Sequence, residues 1–454
     1  MGSVLGHLMV GLPGLEVPGY LPMLAEKGLK SVCIYGENVE SEAQLAKFVS
    51  DIRAVLGPKA IIAIDEEGGE VTRVDYRTGS KFAGNGFLGR LGNPDLTARD
   101  ARLIAQRLNR LQINLNLAPV ADVNLEPANP VIGLRSFGSQ QDKVAEHVAT
   151  FVRHHEAAGV GTTLKHFPGH GNTLTDSHHG LPRVEGGLAE LIATQMKPFE
   201  QGIKAGSAAV MLGHLDLGLS APSSMSAEVV DYLRTQLRFG GLVLTDAMDM
   251  GALGPRSELP KNAIRALLAG VDLVCLGPRT ELAELLEIEE LGSELQLQNS
   301  DLLARSQARI SAFESRERVI PVDAVEPVYP FSMTERPMRN VGQVVRFQSA
   351  TNLAVGQVPW YAGISAPNLA SYEELQELIH AESRVTMVLF RTAMAANKVV
   401  NKLPEGFSEK VLAVIPEPPS EALKCESIVT FGTALPQSAM VLELLSQRQD
   451  SNGY

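Results

Sequence analysis

One pattern repeats along the first two thirds of the chain and limits the folds open to it. Each unit has a short run rich in Val, Ile and Leu, a Gly or Pro turn, and a segment whose apolar residues recur at helical spacing. The eight runs are HLMVGL, SVCIYG, AIIAID, INLNLAPV, GTTLKHF, AAVMLGH, GLVLTDA and VDLVCLG. Apolar strands alternating with helices indicate a buried parallel sheet, and eight units over roughly 250 residues are typical of a (β/α)₈ TIM-type barrel. An open, doubly wound sheet is the alternative.

The composition changes after this region. The segment RVIPVDAVEPVYPFSMTERP holds four prolines and has no helical periodicity, which is typical of a linker. Beyond it, the predicted strands are RVTMVLF, KVLAVIP and SIVTFG, and the predicted helices are SYEELQELIHAES and a closing helix, PQSAMVLELLSQ. Their alternation predicts a small α/β sandwich. We therefore expect a catalytic barrel over residues 1–315, a linker over 316–340 and a smaller α/β domain over 341–454. The last domain is expected to pack against the barrel or to mediate a homodimer.

Charge and cysteine usage exclude some classes of partner. A net charge of −12 opposes binding to nucleic acid or to an anionic membrane surface. Three cysteines, far apart and odd in number, predict neither a disulfide framework nor a clustered zinc site. The N-terminus lacks the basic region of a signal peptide, and no apolar run approaches the ~20 residues that span a bilayer. We expect a soluble, cytoplasmic protein.

Ionisable residues stand at the C-terminal ends of several predicted strands. They are Asp65, Lys165, His166, His214 and Asp246. In a barrel these ends meet at one rim, where the fold places its active site. A polar residue can also end a strand without any catalytic role, but five of them at one rim favour a functional site.

The segment LKHFPGHGNTLTDSHHGLP concentrates four of the ten histidines. His166 and His170 have the spacing of two zinc ligands on one helix face. Because Pro168 and Gly169 lie between them, the segment is a loop and the helical argument fails. Lys165 also disfavours a second cation nearby. A zinc-dependent barrel hydrolase nevertheless stays open as an alternative, and His170 is otherwise expected to support the loop.

The second half of this loop, TDSHHG, predicts an acid/base pair. Asp176 lies two residues before His178, so in an extended loop its carboxylate can hold the imidazole and stabilise its charged form. The candidate nucleophile is Asp246, since the sequence shows no nucleophile elbow and no Walker loop. A rim carboxylate opposite an acid/base is the layout of a retaining glycosidase. Asp249 is expected to be a solvent-side or capping carboxylate.

Six motifs together resemble glycoside hydrolase family 3 and come in the family's order. They are IDEEGGEVTR (64–73), LAPVADVN (117–124), NPVIGLRSFG (129–138), KHFPGHG (165–171), DSHH (176–179) and LTDAMDM (244–250). KHFPGHG marks the family broadly, whereas the DSH loop resembles its β-N-acetylglucosaminidase branch, typified by cytoplasmic enzymes of bacterial cell-wall recycling.

The resemblance implies a role for each matching residue. Asp246 matches the nucleophile, and His178, oriented by Asp176, matches the acid/base. The residues that match those holding the sugar hydroxyls are Asp65, Arg73, Arg135, Lys165 and His166. His214, at the end of the sixth strand, is expected to contact ligand. Two residues of a predicted barrel helix, His154 and His155, are expected at the surface or at an interface.

The expected substrate is a GlcNAc-containing oligosaccharide or muropeptide, and no metal or cofactor is implied. The expected reaction removes a non-reducing terminal GlcNAc through a covalent glycosyl-aspartate intermediate. A histidine that has given up its proton is neutral and does not repel phosphate. A β-N-acetylglucosaminide phosphorylase is therefore a further alternative.

Overall fold

The structure is a computed structural model that describes most of the N-terminal two thirds of the chain and parts of the remainder. The described residues are 3–127, 129–177, 180–278, 280–298, 300–317, 319, 327, 341–347, 368–369, 372–381, 385–390, 396, 399–403, 411–415, 423, 426–430, 436 and 441.

Eight parallel strands form the N-terminal sheet. They are β1 (Leu8–Gly11), β2 (Ser31–Ile34), β3 (Ile61–Ile64), β4 (Leu115–Asn116), β5 (Gly161–Phe167), β6 (Ala209–Leu212), β7 (Leu242–Thr245) and β8 (Val274–Cys275). The spatial order is β7-β6-β5-β4-β3-β2-β1-β8, and a parallel bridge from Leu244 to Leu273 brings the two ends together. Each predicted run contains one strand, so the barrel prediction is confirmed.

Helices follow most of the strands. They are α1 (Leu21–Glu26), α2 (Glu42–Leu56), α3 (Asn85–Leu91), α4 (Pro94–Arg110), α5 (Gln141–Ala157), α6 (Gly187–Thr194), α7 (Met196–Lys204), α8 (Ala227–Asp231), α9 (Leu259–Leu268), α10 (Leu282–Gln298) and α11 (Ser300–Glu314). None of the described helices combines the length and the apolar character needed to cross a bilayer.

Helix α4 shows how local sequence sets the helix bounds. The side chain of Asn93 caps the helix by accepting from the Asp95 backbone N–H, and Pro94 occupies the first turn, where its missing donor costs nothing. Ala101, Ile104 and Leu108 recur at helical spacing and are buried. The helix therefore begins and packs as its sequence dictates.

Alternate residues of each strand face two different layers. Val10, Ile62 and Ile64 belong to the cluster between sheet and helices, whereas Met9 and Ile61 belong to a second cluster inside the barrel. Ile310 and Phe313 of α11 join this inner cluster. The inner core is thus closed by α11 at one end, and the C-terminal strand ends are left for polar side chains.

The C-terminal region contains a second parallel sheet of five strands in the order β10-β9-β11-β12-β13. Its strands are β9 (Val341–Phe347), β10 (Asn368–Leu369), β11 (Val385–Phe390), β12 (Val411–Ile415) and β13 (Glu426–Val429), and helix α12 spans Tyr372–Ala381. A separate apolar cluster surrounds β11 and β12. This agrees with the predicted α/β fold. Most of the predicted linker and of the predicted closing helix lies outside the described residues, so the domain boundaries stay a prediction.

Candidate active site

A cavity of about 360 Å³ opens at the C-terminal ends of the barrel strands. Six of the residues predicted for the site line it together: Asp65, Arg73, Arg135, Lys165, His166 and Asp246. They come from the ends of β3, β5 and β7 and from the loops after β3 and β4. The barrel therefore brings to one place residues that are up to 181 positions apart, from Asp65 to Asp246.

A compact ion-pair cluster forms one wall of the cavity. Lys165 Nζ lies 2.7 Å from Asp65 Oδ1 and 2.6 Å from Glu67 Oε1. Glu67 also accepts two hydrogen bonds from Arg135, at 2.8 and 3.0 Å, in the bidentate geometry that suits a guanidinium. Arg73 Nη2 is 3.4 Å from Asp65 Oδ2. Every charge in this wall has a partner of opposite sign.

The pairing keeps the cluster ionised although it is buried. Burial acts to raise the pKa of Glu67, but the charges of Arg135 and Lys165 outweigh it and lower that pKa to about 2. Burial likewise acts to lower the pKa of Lys165, yet Asp65 and Glu67 hold it above the ordinary value. At neutral pH the wall therefore presents charged hydrogen-bond donors and acceptors to the cavity.

The carboxylate of Asp122 orients the imidazole of His166 through a hydrogen bond. This carboxylate is fully buried and accepts from the His166 ring Nδ1 at 2.7 Å and from the backbone N–H groups of His166 and His170. Arg135 Nη2 lies 3.4 Å from His166 Nε2 and can only donate, so this nitrogen accepts. Burial acts to raise the pKa of Asp122, but His166 and these hydrogen bonds bring it below its usual value.

A second buried carboxylate, Glu66, holds the loop that carries Arg73. It accepts from the Thr72 hydroxyl at 2.6 Å and from the backbone N–H groups of Arg73 and Val74 at 2.9 and 3.0 Å. Burial, followed by repulsion from Asp75, raises the pKa of Glu66 to about 7. Sequence reasoning assigned no role to Glu66, Glu67 or the cavity-lining Tyr35, although both glutamates stand in the quoted IDEEGGEVTR motif.

Asp246 follows β7 directly and faces the cavity. Its backbone N–H donates to the Leu212 carbonyl at 2.8 Å, and its Oδ1 accepts from the Ala247 N–H at 2.8 Å. His214 lies behind this turn, where Nε2 donates to the Ala247 carbonyl at 2.9 Å and Nδ1 pairs with the Ser224 hydroxyl at 2.7 Å. His214 is fully buried and does not line the cavity, so it contacts the turn that carries Asp246.

The loop after β5 contacts the loop that follows Asp246, since the Ala252 N–H donates to the Ser177 carbonyl at 3.0 Å. His178 and His179 lie outside the described residues. Asp176 is half-buried and does not line the cavity, whereas Ser177 does. His170 supports this loop through Thr173 Oγ1, 2.7 Å from Nδ1, and Ser177 Oγ, 3.2 Å from Nε2. Burial, then the charge of His166, lowers the pKa of His170 to about 4.

Asp249 was expected on the solvent side, but it lines the cavity three residues after Asp246. Its side chain is 16% exposed and lies 3.9 Å from Arg256. Gly277 makes this possible, because its φ of +93° and its missing Cβ leave space that the Asp249 carboxylate fills. Sequence reasoning missed this placement, which depends on the turn after β8.

Residues 21–312 match the family model of the glycosyl hydrolase family 3 N-terminal domain. The chain belongs to glycosyl hydrolase family 3. This family 3 chain is 30% identical over 337 residues to beta-hexosaminidase A of Pseudoalteromonas piscicida, an alignment covering 66% of this chain and only 55% of that protein. It is 33% identical over 278 residues to beta-hexosaminidase of Stenotrophomonas maltophilia (strain R551-3), covering 59% of this chain and 82% of that protein.

A solved structure matches the family 3 chain over nearly its full length. A glycoside hydrolase family 3 beta-N-acetylglucosaminidase from Paenibacillus sp. str. FPU-7 aligns over 98% of this chain and 96% of its own, with a TM-score of 0.81 and 24% identity. At this identity the match shows a shared fold. The family predicted from the six motifs is confirmed by the match of residues 21–312 to the family model.

Proposed function

We propose that this family 3 glycoside hydrolase is a retaining β-N-acetylglucosaminidase that removes terminal GlcNAc through a covalent intermediate on Asp246. The observation that carries the proposal is the placement of the Asp246 carboxylate in the same cavity as the Asp65–Lys165–Glu67–Arg135 cluster. The names of the two relatives, both beta-hexosaminidases, support the choice of sugar.

The proposed reaction has two displacements at the anomeric carbon. In the first, an Asp246 oxygen bonds to this carbon while the bond to the leaving-group oxygen breaks, and His178 gives that oxygen a proton. In the second, His178 takes a proton from water, whose oxygen displaces Asp246. Asp176 is proposed to orient His178 and to stabilise its charged form.

The ion-pair wall is proposed to hold the non-reducing sugar. Asp65, Arg73, Arg135, Lys165 and His166 offer charge-assisted hydrogen bonds to hydroxyls, and these reject a sugar that lacks the matching group. His214 is proposed to act indirectly, through the Ala247 carbonyl, by fixing the turn after Asp246. The sequence motifs predict that the natural substrates are muropeptide fragments in the cytoplasm, and this stays a prediction.

The zinc-dependent alternative is not favoured by the surroundings of the loop histidines. The guanidinium of Arg135 lies 3.4 Å from His166 Nε2, and a cation there opposes a metal ion at the same nitrogen. Nδ1 of His166 is bound to Asp122 at 2.7 Å.

The function is tested with an aryl β-N-acetylglucosaminide and two variants of Asp246. We expect Asp246→Asn to lower kcat by at least about 1000-fold, since the group that bonds to the anomeric carbon is removed. Asp246→Ala with added azide should form the α-configured glycosyl azide, because azide enters from the vacated face. Asp142→Asn removes an exposed carboxylate and should retain activity. Substantial activity in Asp246→Asn would contradict the assignment.

A further inference from the structure

Ser177 is held from two sides, by its side chain and by its backbone. Its Oγ lies 3.2 Å from His170 Nε2, and its carbonyl accepts from the Ala252 N–H at 3.0 Å. The residue is 1% exposed and lines the cavity that holds Asp246. Ala252 belongs to the loop after β7, which begins at Asp246. The residue that precedes His178 in the sequence is therefore tied to His170 and to the loop of the proposed nucleophile.

The hydrogen bonds of Thr173 determine which nitrogen of the His170 ring carries the proton. The Thr173 hydroxyl has one proton, and a backbone carbonyl can only accept, so this proton goes to the His170 carbonyl at 3.1 Å. Thr173 Oγ1 then accepts from His170 Nδ1–H at 2.7 Å. Burial, then the charge of His166, lowers the pKa of His170 to about 4, so the ring is neutral at pH 7. His170 Nε2 therefore has no proton and accepts from the Ser177 hydroxyl.

The backbone of His170 is fixed as well. Its N–H donates to Asp122 Oδ1 at 2.7 Å, and its carbonyl accepts from Asn129 Nδ2 at 2.8 Å. The same Asp122 carboxylate binds Nδ1 of His166, which lines the cavity. One buried carboxylate thus positions both His166 and the residue that accepts the Ser177 hydroxyl bond.

We propose that Ser177 is a positioning residue for the acid/base step, which sets the orientation of His178 through the peptide group that joins the two residues. This inference rests on the proposed function, in which His178 exchanges a proton with the leaving group and with water. The peptide group is planar, so fixing the Ser177 carbonyl restricts the backbone nitrogen of His178. The hydroxyl bond to His170 gives the residue a second point of attachment. Because a general acid acts only within hydrogen-bond reach of the leaving oxygen, loss of this attachment should impair proton transfer.

The test measures kcat/KM on two β-N-acetylglucosaminides whose leaving groups differ in their need for a proton, the 2,4-dinitrophenyl and the phenyl glycosides. This constant reports the steps up to the covalent intermediate, in which His178 is proposed to protonate the leaving oxygen. In Ser177→Ala the ratio of the two values, dinitrophenyl over phenyl, should rise at least about tenfold, a part of the ~100-fold or more that a general acid contributes. The ratio does not depend on the fraction of folded enzyme. Ser50→Ala removes an exposed hydroxyl of α2 and should leave the ratio unchanged.

Two substitutions of His170 separate the contact to Ser177 from general support of the loop. Glutamine can place its carbonyl oxygen near the position of Nε2 and accept from Ser177, whereas asparagine places its amide near the position of Nδ1 and keeps only the contact to Thr173. His170→Asn should therefore raise the ratio about as much as Ser177→Ala does, and His170→Gln should raise it less than about threefold. The double variant Ser177→Ala/His170→Asn should add little to either single change. His154→Asn, at an exposed position of α5, is the control.

An unchanged ratio in Ser177→Ala, or an equal rise in His170→Asn and His170→Gln, overturns the inference, since Ser177 would then not position the acid/base. The His178→Ala variant tests the proposed function on the same two substrates, and its ratio should rise at least about 100-fold. An unchanged ratio in His178→Ala, or absence of aryl release by wild type, contradicts the proposed function, so the two failures are distinguishable.

Discussion

At the scale of single residues, Lys165 is a buried cation whose charge is compensated by two carboxylates. Its side chain is 2% exposed, and its ammonium group contacts two carboxylates at 2.6 and 2.7 Å. Removing one partner of a buried ion pair leaves an uncompensated charge and typically costs about 3 to 5 kcal/mol. An exposed pair such as Lys197–Asp142 contributes only about 0 to 1 kcal/mol.

We therefore expect Lys165→Met to reduce both stability and activity. The melting temperature should fall by at least about 6 °C, and kcat/KM on an aryl β-N-acetylglucosaminide should fall at least about 100-fold, because the hydroxyl-binding wall loses its central cation. Lys197→Met is the matched control and should shift the melting temperature by less than about 2 °C. Equal shifts in the two variants would show that the cluster does not stabilise the barrel.

The position predicted for His155 was wrong. His155 was predicted at the surface or at an interface, but it is fully buried within the barrel unit, and its Nδ1 donates to the Ala101 carbonyl at 2.9 Å. Burial lowers the pKa of His155 to about 3, so it is neutral at pH 7. Its position on α5 follows the apolar series Val144, Val148 and Phe151 at helical spacing, a signal that places it on the inward face. The neighbouring His154 is exposed, as predicted.

At the scale of elements, the loop 71–75 after β3 depends on Glu66. The carboxylate is 1% exposed and accepts from Thr72, Arg73 and Val74, so it fixes the backbone that presents Arg73 to the cavity. Glutamine has the same shape, with a carbonyl oxygen for the two backbone donors and an amide group for the Thr72 hydroxyl. The loop geometry thus needs a planar acceptor more than it needs a charge.

Glu66→Gln should retain kcat/KM within about threefold and should be more stable than wild type above pH 7. The folded-state pKa of Glu66 is raised to about 7 by burial and by Asp75, so its stabilising contribution is present at low pH and is lost between pH 4.5 and 7. At pH 8 the gain should be about 1 to 3 kcal/mol in the free energy of unfolding, read from urea midpoints by far-UV circular dichroism.

The Glu66→Ala variant distinguishes the role of Glu66 as a hydrogen-bond acceptor for the loop from the role of its negative charge. Without an acceptor, the backbone N–H groups of Arg73 and Val74 are left unsatisfied, so KM should rise and stability should fall at pH 6 as well as at pH 8. If Glu66→Gln were as damaging as Glu66→Ala, the carboxylate charge itself would be required and the account of the loop would be wrong.

At the scale of the whole molecule, α11 decides whether the barrel can close without the C-terminal region. Ile310 and Phe313 join the inner barrel cluster, and Arg309 pairs with the buried Asp272 at 2.8 Å. The Val319 carbonyl accepts from Asn109 at 2.8 Å. These contacts tie α11 and Val319 to the barrel, and the boundary near residue 315 stays a prediction.

A chain ended after Val319 should fold and keep kcat/KM within about threefold of the full chain, since domains of this size have their own core. A chain ended after Gln298 lacks α11 and should be insoluble or unfolded, because it exposes the apolar inner cluster. Solubility, far-UV circular dichroism and turnover of the aryl glycoside check both. Loss of folding in the longer fragment would assign the C-terminal region to barrel stability.

The elements that the sequence predicted are those with a local signal. Each of the eight barrel strands lies within a continuous apolar run, and β11 and β12 were found for the same reason. Strand β9 was missed because Gly342, Gln343 and Arg346 interrupt its apolar pattern. Asp249 was misplaced because its position depends on Gly277, which is 28 residues further along the chain.

The sequence by itself determined the strand count, the rim of polar residues and the family, because apolar periodicity and motif order are local properties of the chain. Only the tertiary structure decided which charges pair. Lys165 meets Asp65 across 100 residues, and Arg135 meets Glu67 across 68. Such pairs form because barrel closure sets strand neighbours and stagger, and Coulomb attraction depends on the resulting distance and on burial.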